Sequence, residues 1–125
     1  MDNTVAFYPG SAPIDAYGKG GFRFADMSHR GSILCLPSGI YAWSVAAGTE
    51  ATLNDLQQVL GALKPPEFLI FGTGNTQIFP SPEISSAFVQ ASIGLEAMST
   101  GAACRTYNIL LGEGRPVAAA LIAVE

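Results

Sequence analysis

The stretch STGAACRTYN, Ser99 to Asn108, holds a thiol, a guanidinium and a Thr-Gly pair within ten positions. Three kinds of chemistry fit it. Cys104 is a nucleophile if its thiol ionises, and a helix start and the adjacent Arg105 both favour a thiolate. The free N–H groups of a helix beginning at Thr100 form an anion cradle, to which Arg105 adds a fixed positive charge. The third reading is a tightly packed helix start, with Cys104 a small buried hydrophobe. A cysteine nucleophile also needs a base. The only histidine is His29, which falls in a predicted hairpin turn with no evident link to Cys104. Asp26 and His29 read as turn residues rather than an acid–base pair, because Asp, Ser and Gly surround them. Glu83, Glu96 and Glu113 show no spacing that suits paired acid–base work.

A second small-residue turn, GTGNTQIFPSPE, follows the apolar run EFLIFG. It matches neither the lysine-bearing phosphate loop nor the dinucleotide fingerprint. Both turns follow predicted strands, Phe68–Phe71 and Leu95–Ser99. If those strands are parallel, the turns lie on one edge of the sheet, where ligands of open α/β sheets bind. Gly72, Thr73 and Gly74 with Thr100, Gly101, Cys104 and Arg105 then define a small-molecule or anion site, the glycines letting backbone approach the ligand. Arg105 and Asn108 share the outer face of the third predicted helix, a solvated face or a partner surface.

The elements around these turns can be read from periodicity. Residues 1–13 form an extended N-terminal arm broken by Pro9, Gly10 and Pro13. Phe22 and Phe24 alternate with Arg23 and Ala25, as in a strand. The turn-like SHRG leads into SILCL, and the β-prone runs around Pro37-Ser38-Gly39 form a hairpin. TLNDLQQVLGAL starts like a capping box and puts Leu53, Leu56, Leu60 and Leu63 on one helical face, until Pro65 and Pro66 stop it. Ser81-Pro82-Glu83 caps a second helix that buries Ile84, Phe88 and Ala91 and ends at Gly94. LEAMS is a strand, GAACRTYNILLGEG a helix with Ala103, Tyr107, Leu110 and Leu111 inward, and VAAALIAV a buried strand. The expected fold is α/β: one domain over residues 1–125, with a mixed central sheet flanked by helices and an added antiparallel β layer from the N-terminal third.

Composition narrows the function. The 125 residues are 49% hydrophobic and 13% charged, with a formal net charge of −4. So apolar a chain has a large core or apolar surface for a partner. No basic block argues for nucleic acid. The longest apolar run, Val117 to Val124, is far below the ~20 residues of a membrane span. MDNTVAFYPGSAP lacks the pattern of a signal peptide, and Cys35 and Cys104 read as reduced thiols of a cytoplasmic protein. One histidine and two separated cysteines leave no zinc set, and no cofactor is assigned.

GTGNTQIFPSPE followed by GLEAMSTGAACRTYNILLGEGRPVAAALI resembles the MTH nine-three-eight-like domain family, formerly a domain of unknown function. IDAYGKGGFRF and LPSGIYAW share the resemblance, which runs from Ile14 onward. It implies an α/β domain with a mixed central sheet and an added β layer. Members include a mitochondrial complex I assembly factor and an adipogenesis-associated protein, while bacterial members mostly lack an assigned activity. The resemblance supplies no catalytic set and leans away from an enzyme. It supports Gly72, Thr73, Gly74, Thr100, Gly101, Cys104, Arg105 and Asn108 as motif positions. It implies a non-enzymatic assembly-type domain with a protein partner such as a membrane or respiratory complex subunit, placed in the cytoplasm or peripheral to the inner membrane. Self-association into a homodimer is a further expectation. A ligand site at the glycine turns and a cysteine-dependent enzyme using Cys104 remain the alternatives.

Overall fold

Along Ile33–Leu36, Leu34 and Leu36 enter one apolar cluster while Ile33 and Cys35 enter another. Along Val117–Leu121, Ala118 and Ala120 divide from Val117, Ala119 and Leu121 in the same way. Side chains alternate across a strand, so these strands must be covered on both faces, and the computed structural model, which describes residues 7–125, places them at the centre of a six-stranded sheet.

In chain order the strands are β1 (Tyr8–Pro9), β2 (Ala16–Gly18), β3 (Gly21–Phe24), β4 (Met27–Arg30), β5 (Ile33–Leu36), β6 (Gly39–Ala42), β7 (Phe68–Gly72), β8 (Gly94–Met98) and β9 (Val117–Leu121). The helices are α1 (Gln57–Leu60), α2 (Pro82–Gln90) and α3 (Thr100–Gly112). The large sheet runs β1-β6-β5-β9-β7-β8. β7 is parallel to both β8 and β9, and the remaining pairs are antiparallel. β2, β3 and β4 form a separate antiparallel sheet. The expected α/β fold with a mixed sheet and an added β layer is therefore observed. Of the N-terminal third, only β2–β4 make the added layer, because β5 and β6 extend the large sheet.

The chain steps from β7 to β8 on one side and returns to β9 on the other. Right-handed crossovers then put α2 and α3 on opposite faces. Ile84 and Phe88 of α2 accordingly pack with Trp43, Leu69 and Phe71, whereas Ala103, Cys104 and Tyr107 of α3 pack with Ile70, Ala119 and the small sheet's Phe22 and Phe24. Ser81 caps α2 as expected, its hydroxyl accepting from Ile84 N at 3.3 Å.

Three local expectations are corrected. Ser28, His29 and Arg30 of SHRG lie in a strand rather than a turn: Met27–Arg30 pairs with β3, Gly31 follows it at φ 95°, and the reversal falls before the strand at Ala25 and Asp26, whose φ of 49° and 62° make a two-residue primed turn. Residues 52–63 do not form one helix. Trp43 Nε1 donates to the Asp55 carbonyl at 2.9 Å, drawing it out of the helical ladder. A 3-10 turn at Asn54–Leu56 passes into the four-residue α1, which ends at Gly61 and leaves Leu63 fully exposed. Finally, α2 stops before Ala91, which is exposed, and Ser92 at φ 59° makes the left-handed exit. Gly94 opens β8 instead. Of the proposed arm, residues 1–6 lie outside the described residues, and Tyr8–Pro9 pairs with β6 as the edge strand.

Candidate functional site

Parallel pairing of β7 with β8 sets Gly72 opposite Met98, so the two small-residue turns leave the same sheet edge side by side. They are stitched to each other. Thr73 N donates to the Met98 carbonyl at 2.8 Å, and Thr100 N donates to the Gly74 carbonyl at 2.8 Å. The Thr100 hydroxyl accepts from Gly74 N at 3.0 Å and donates to the Ile122 carbonyl at 2.7 Å. Ile122 N closes the circuit on the Gly72 carbonyl at 3.0 Å. The Thr73 hydroxyl accepts from Ile78 N at 3.0 Å and donates to the Thr76 carbonyl at 2.6 Å. Thr73 and Thr100 are both buried.

This edge is where strand order reverses and where an open α/β sheet offers a crevice. Here the crevice is occupied by Thr100, one hydroxyl joining the exits of β7 and β9. The amides of Thr73, Gly74 and Thr100 already have partners. Gly72 serves packing: a Cβ there would lie 3.0 Å from the Ala103 Cβ, 3.0 Å from Leu121 Cδ2 and 3.1 Å from the Thr100 Cα.

Gly101 lies under Tyr17 of the small sheet. A Cβ on Gly101 would fall on the Tyr17 hydroxyl, with ring carbon Cζ 3.0 Å away. The phenol thus covers the first turn of α3, the surface an anion would need. Tyr17 was not legible as part of this site; its trace in the sequence is an aromatic beside the glycine-rich IDAYGKGG.

Cys104 is 3% exposed. Burial raises its thiol to about 12, against the smaller downward pull of Arg105. At neutral pH the group is a thiol, and its neighbours in the apolar cluster include Cys35 and Tyr107. Burial also raises the pKa of Cys35 and of Tyr107. The Tyr107 hydroxyl lies against Ser11 and the Cys35 thiol but finds no hydrogen-bond partner among the described residues. His29 stands on β4, its ring edge-on to Phe7 at 4.7 Å between centroids. Desolvation outweighs the guanidinium, so this thiol fits the reading of Cys104 as a small buried hydrophobe rather than the alternative of a nucleophile with activating neighbours. Among the described residues no group of three His, Cys, Asp or Glu is placed to hold a metal ion.

Arg105 and Asn108 diverge. Arg105 is exposed on α3, and Ile109, four residues on, is 62% exposed. Asn108 is turned to the interior: its Oδ1 accepts from Ile14 N at 2.8 Å and its Nδ2 donates to the Ile14 carbonyl at 2.9 Å. Of the motif positions, Gly72, Thr73, Gly74, Thr100, Gly101, Cys104 and Asn108 thus hold β7, β9, the small sheet and α3 together, and Arg105 alone reaches freely outward.

A family model described as a protein of unknown function (DUF498/DUF598) matches residues 14–122. The chain is 32% identical over 116 residues to the NADH dehydrogenase (ubiquinone) 1 alpha subcomplex assembly factor 3 of Mus musculus, a match covering 92% of this chain and 62% of the mouse protein. The chain therefore spans about three fifths of that relative's length. Among solved structures, an outer membrane protein from Bartonella henselae is similar at 51% identity and a TM-score of 0.90, covering 94% of this chain and 99% of that one. A Bordetella pertussis protein described as an MTH nine-three-eight-like domain is similar at 31% identity and a TM-score of 0.77, covering 98% of this chain and 92% of that one.

Proposed function

The chain belongs to the DUF498/DUF598 family, and from that premise we propose that it is a non-enzymatic interaction domain that assists assembly of a membrane-associated respiratory complex. The observation that carries this reading is the similarity, across 92% of the chain, to a protein named for assembly of NADH dehydrogenase. The chemistry of the motif supports it. Cys104 is held as a neutral thiol, and the amides of the glycine turns are committed to neighbouring strand ends.

The partner surface in this reading is the exposed side of α3, where Arg105 and Ile109 are one helical turn apart. Arginine is enriched at protein interfaces, and an exposed isoleucine beside it adds apolar area to bury. The partner is a subunit of the respiratory complex. The domain works in the cytoplasm and peripherally at the inner membrane, and no described helix is long and apolar enough to cross a membrane. Self-association into a homodimer through the same surface belongs to the proposal, and sedimentation velocity tests it.

Affinity capture of the tagged chain from its own cells in mild detergent tests the main reading, beside an Arg105→Glu/Ile109→Glu variant. Recovery of a named respiratory subunit with wild type and its loss with the variant support the proposal. Equal recovery with wild type and variant removes α3 as the surface. No respiratory subunit with either removes the assembly reading.

A further inference from the structure

Registration of the small sheet puts six residues on its outer face in two cross-strand rows. Ala16, Arg23 and Ser28 are directly opposite one another in the first, and Gly18, Gly21 and Arg30 in the second. Directly opposed residues share a face, and the inner face is accounted for by Phe22 and Phe24, both buried in the core. The outer face therefore has a floor of alanine and glycine, without side chains to cover it, and two arginines diagonal to each other. Residues in that relationship have Cα atoms roughly 7–8 Å apart. An open cleft of about 580 Å³ lies here, lined by all six. That volume suits a small organic ligand.

The charge is unusual for this chain. Net charge is −4, yet three of its six Lys and Arg residues, Lys19, Arg23 and Arg30, line this one cleft. Among the described residues both ion pairs are made by Arg115. Arg23 and Arg30 make no ion pair among the described residues, and the Glu125 carboxylate stands at the edge of the cleft beside Gly20. Two guanidiniums on one face repel, and a dianion bridging them removes the repulsion while taking bidentate hydrogen bonds from each. Lys19 enters from the β2–β3 turn, where its φ of 53° and that of Gly20 at 79° make a primed two-residue reversal. Ser28 adds a hydroxyl.

From these observations we propose that the outer face of β2–β4 is a binding site for a small phosphate monoester, the phosphate held between Arg23 and Arg30. The site is separate from the α3 surface and does not depend on the assembly reading. Its ligand is a soluble small molecule; a lipid headgroup would present the same phosphate chemistry from a membrane.

The test titrates phenyl phosphate into the ¹⁵N-labelled full chain and follows the amides of Gly18, Gly20 and Gly21. Saturable shifts are expected, with phenol causing none. Arg23→Gln/Arg30→Gln lies on an exposed face and is expected to weaken binding at least tenfold. Arg23→Lys/Arg30→Lys, which keeps charge but loses the fork, is expected to fall between, and Arg105→Gln to bind like wild type. Trp43 fluorescence reports that each variant is folded. Vesicles containing phosphatidic acid, whose headgroup is a phosphate monoester, form the second arm. Binding to the vesicles without any phenyl phosphate shift overturns the small-molecule site, as does phenyl phosphate binding that the Arg23/Arg30 variants leave unchanged. Absence of any shift up to millimolar ligand overturns it outright.

Discussion

The carboxamide of Asn108 pairs with both backbone groups of Ile14, accepting from its N–H at 2.8 Å and donating to its carbonyl at 2.9 Å. A side chain on α3 thus takes the place of a neighbouring strand for the segment that leads into β2. The two residues are 94 positions apart, so the pair ties the added β layer to the helix that carries the family motif.

Asn108→Ala removes both partners and leaves Ile14 with two unmet backbone groups. Groups left unmet in this way cost about 1–3 kcal/mol. Asn108→Asp keeps the acceptor but loses the donor and sets a carboxylate against a carbonyl. Both variants are expected to be destabilised by about 2 kcal/mol, measured by urea unfolding followed through the single tryptophan, Trp43. A loss below about 0.5 kcal/mol would mean that the segment is held elsewhere.

Thr100 is fully buried, and its hydroxyl serves Gly74 N and the Ile122 carbonyl together. Thr100→Val keeps the shape and strands both groups, with an expected cost of about 2–4 kcal/mol, while Thr100→Ser keeps the hydroxyl and is expected to cost about 1 kcal/mol. Similar losses for the two variants would show that the methyl, not the hydroxyl, holds the strand exits.

The Tyr107 hydroxyl is buried without a hydrogen-bond partner among the described residues. Removing an unpaired polar atom also removes its desolvation cost. Tyr107→Phe is therefore expected to be neutral or stabilising by up to about 1 kcal/mol in the same unfolding experiment. A clear destabilisation would reveal a hydrogen bond to Ser11 or Cys35.

Alkaline pH should weaken the fold. An unfolded thiol ionises near ~8.5, whereas Cys104 in the folded state holds its proton to about 12. Between those values the folded state binds more protons, so stability falls as pH rises, approaching about 1.4 kcal/mol per pH unit for each such thiol. Cys35 and Tyr107 shift in the same direction. Unfolding midpoints measured from pH 7 to 10.5 should drop above about 8.5, less steeply in Cys104→Ala. Rapid alkylation of Cys104 in the folded protein at pH 7.5 would contradict its protection.

Much of the fold was legible because its signals are local. The Phe22/Phe24 alternation, the Leu36-to-Gly39 hairpin and the Ser81 cap each depend on neighbours within a few positions, and all three stand. β4 escaped notice because Ser28, His29 and Arg30 are polar and its strand character comes from pairing with β3. The 52–63 segment read as a helix because nothing local reveals that the Trp43 indole takes the Asp55 carbonyl. The site followed the same rule. Its place at the ends of β7 and β8 could be read from the turn glycines. Its closure by Thr100, its cover by Tyr17 and the inward turn of Asn108 are contacts between distant segments, which periodicity does not encode.

The central claim is an assembly role without catalysis, and deleting the gene tests it most directly. The assembled respiratory NADH dehydrogenase complex would be quantified on native gels in membranes of the deletion strain, with wild type, Cys104→Ala and Arg105→Glu/Ile109→Glu supplied in trans. The account predicts less assembled complex on deletion, full restoration by wild type and Cys104→Ala, and none by the α3 variant. A normal level of complex in the deletion strain, or failure of a folded Cys104→Ala protein to restore it, would contradict the account.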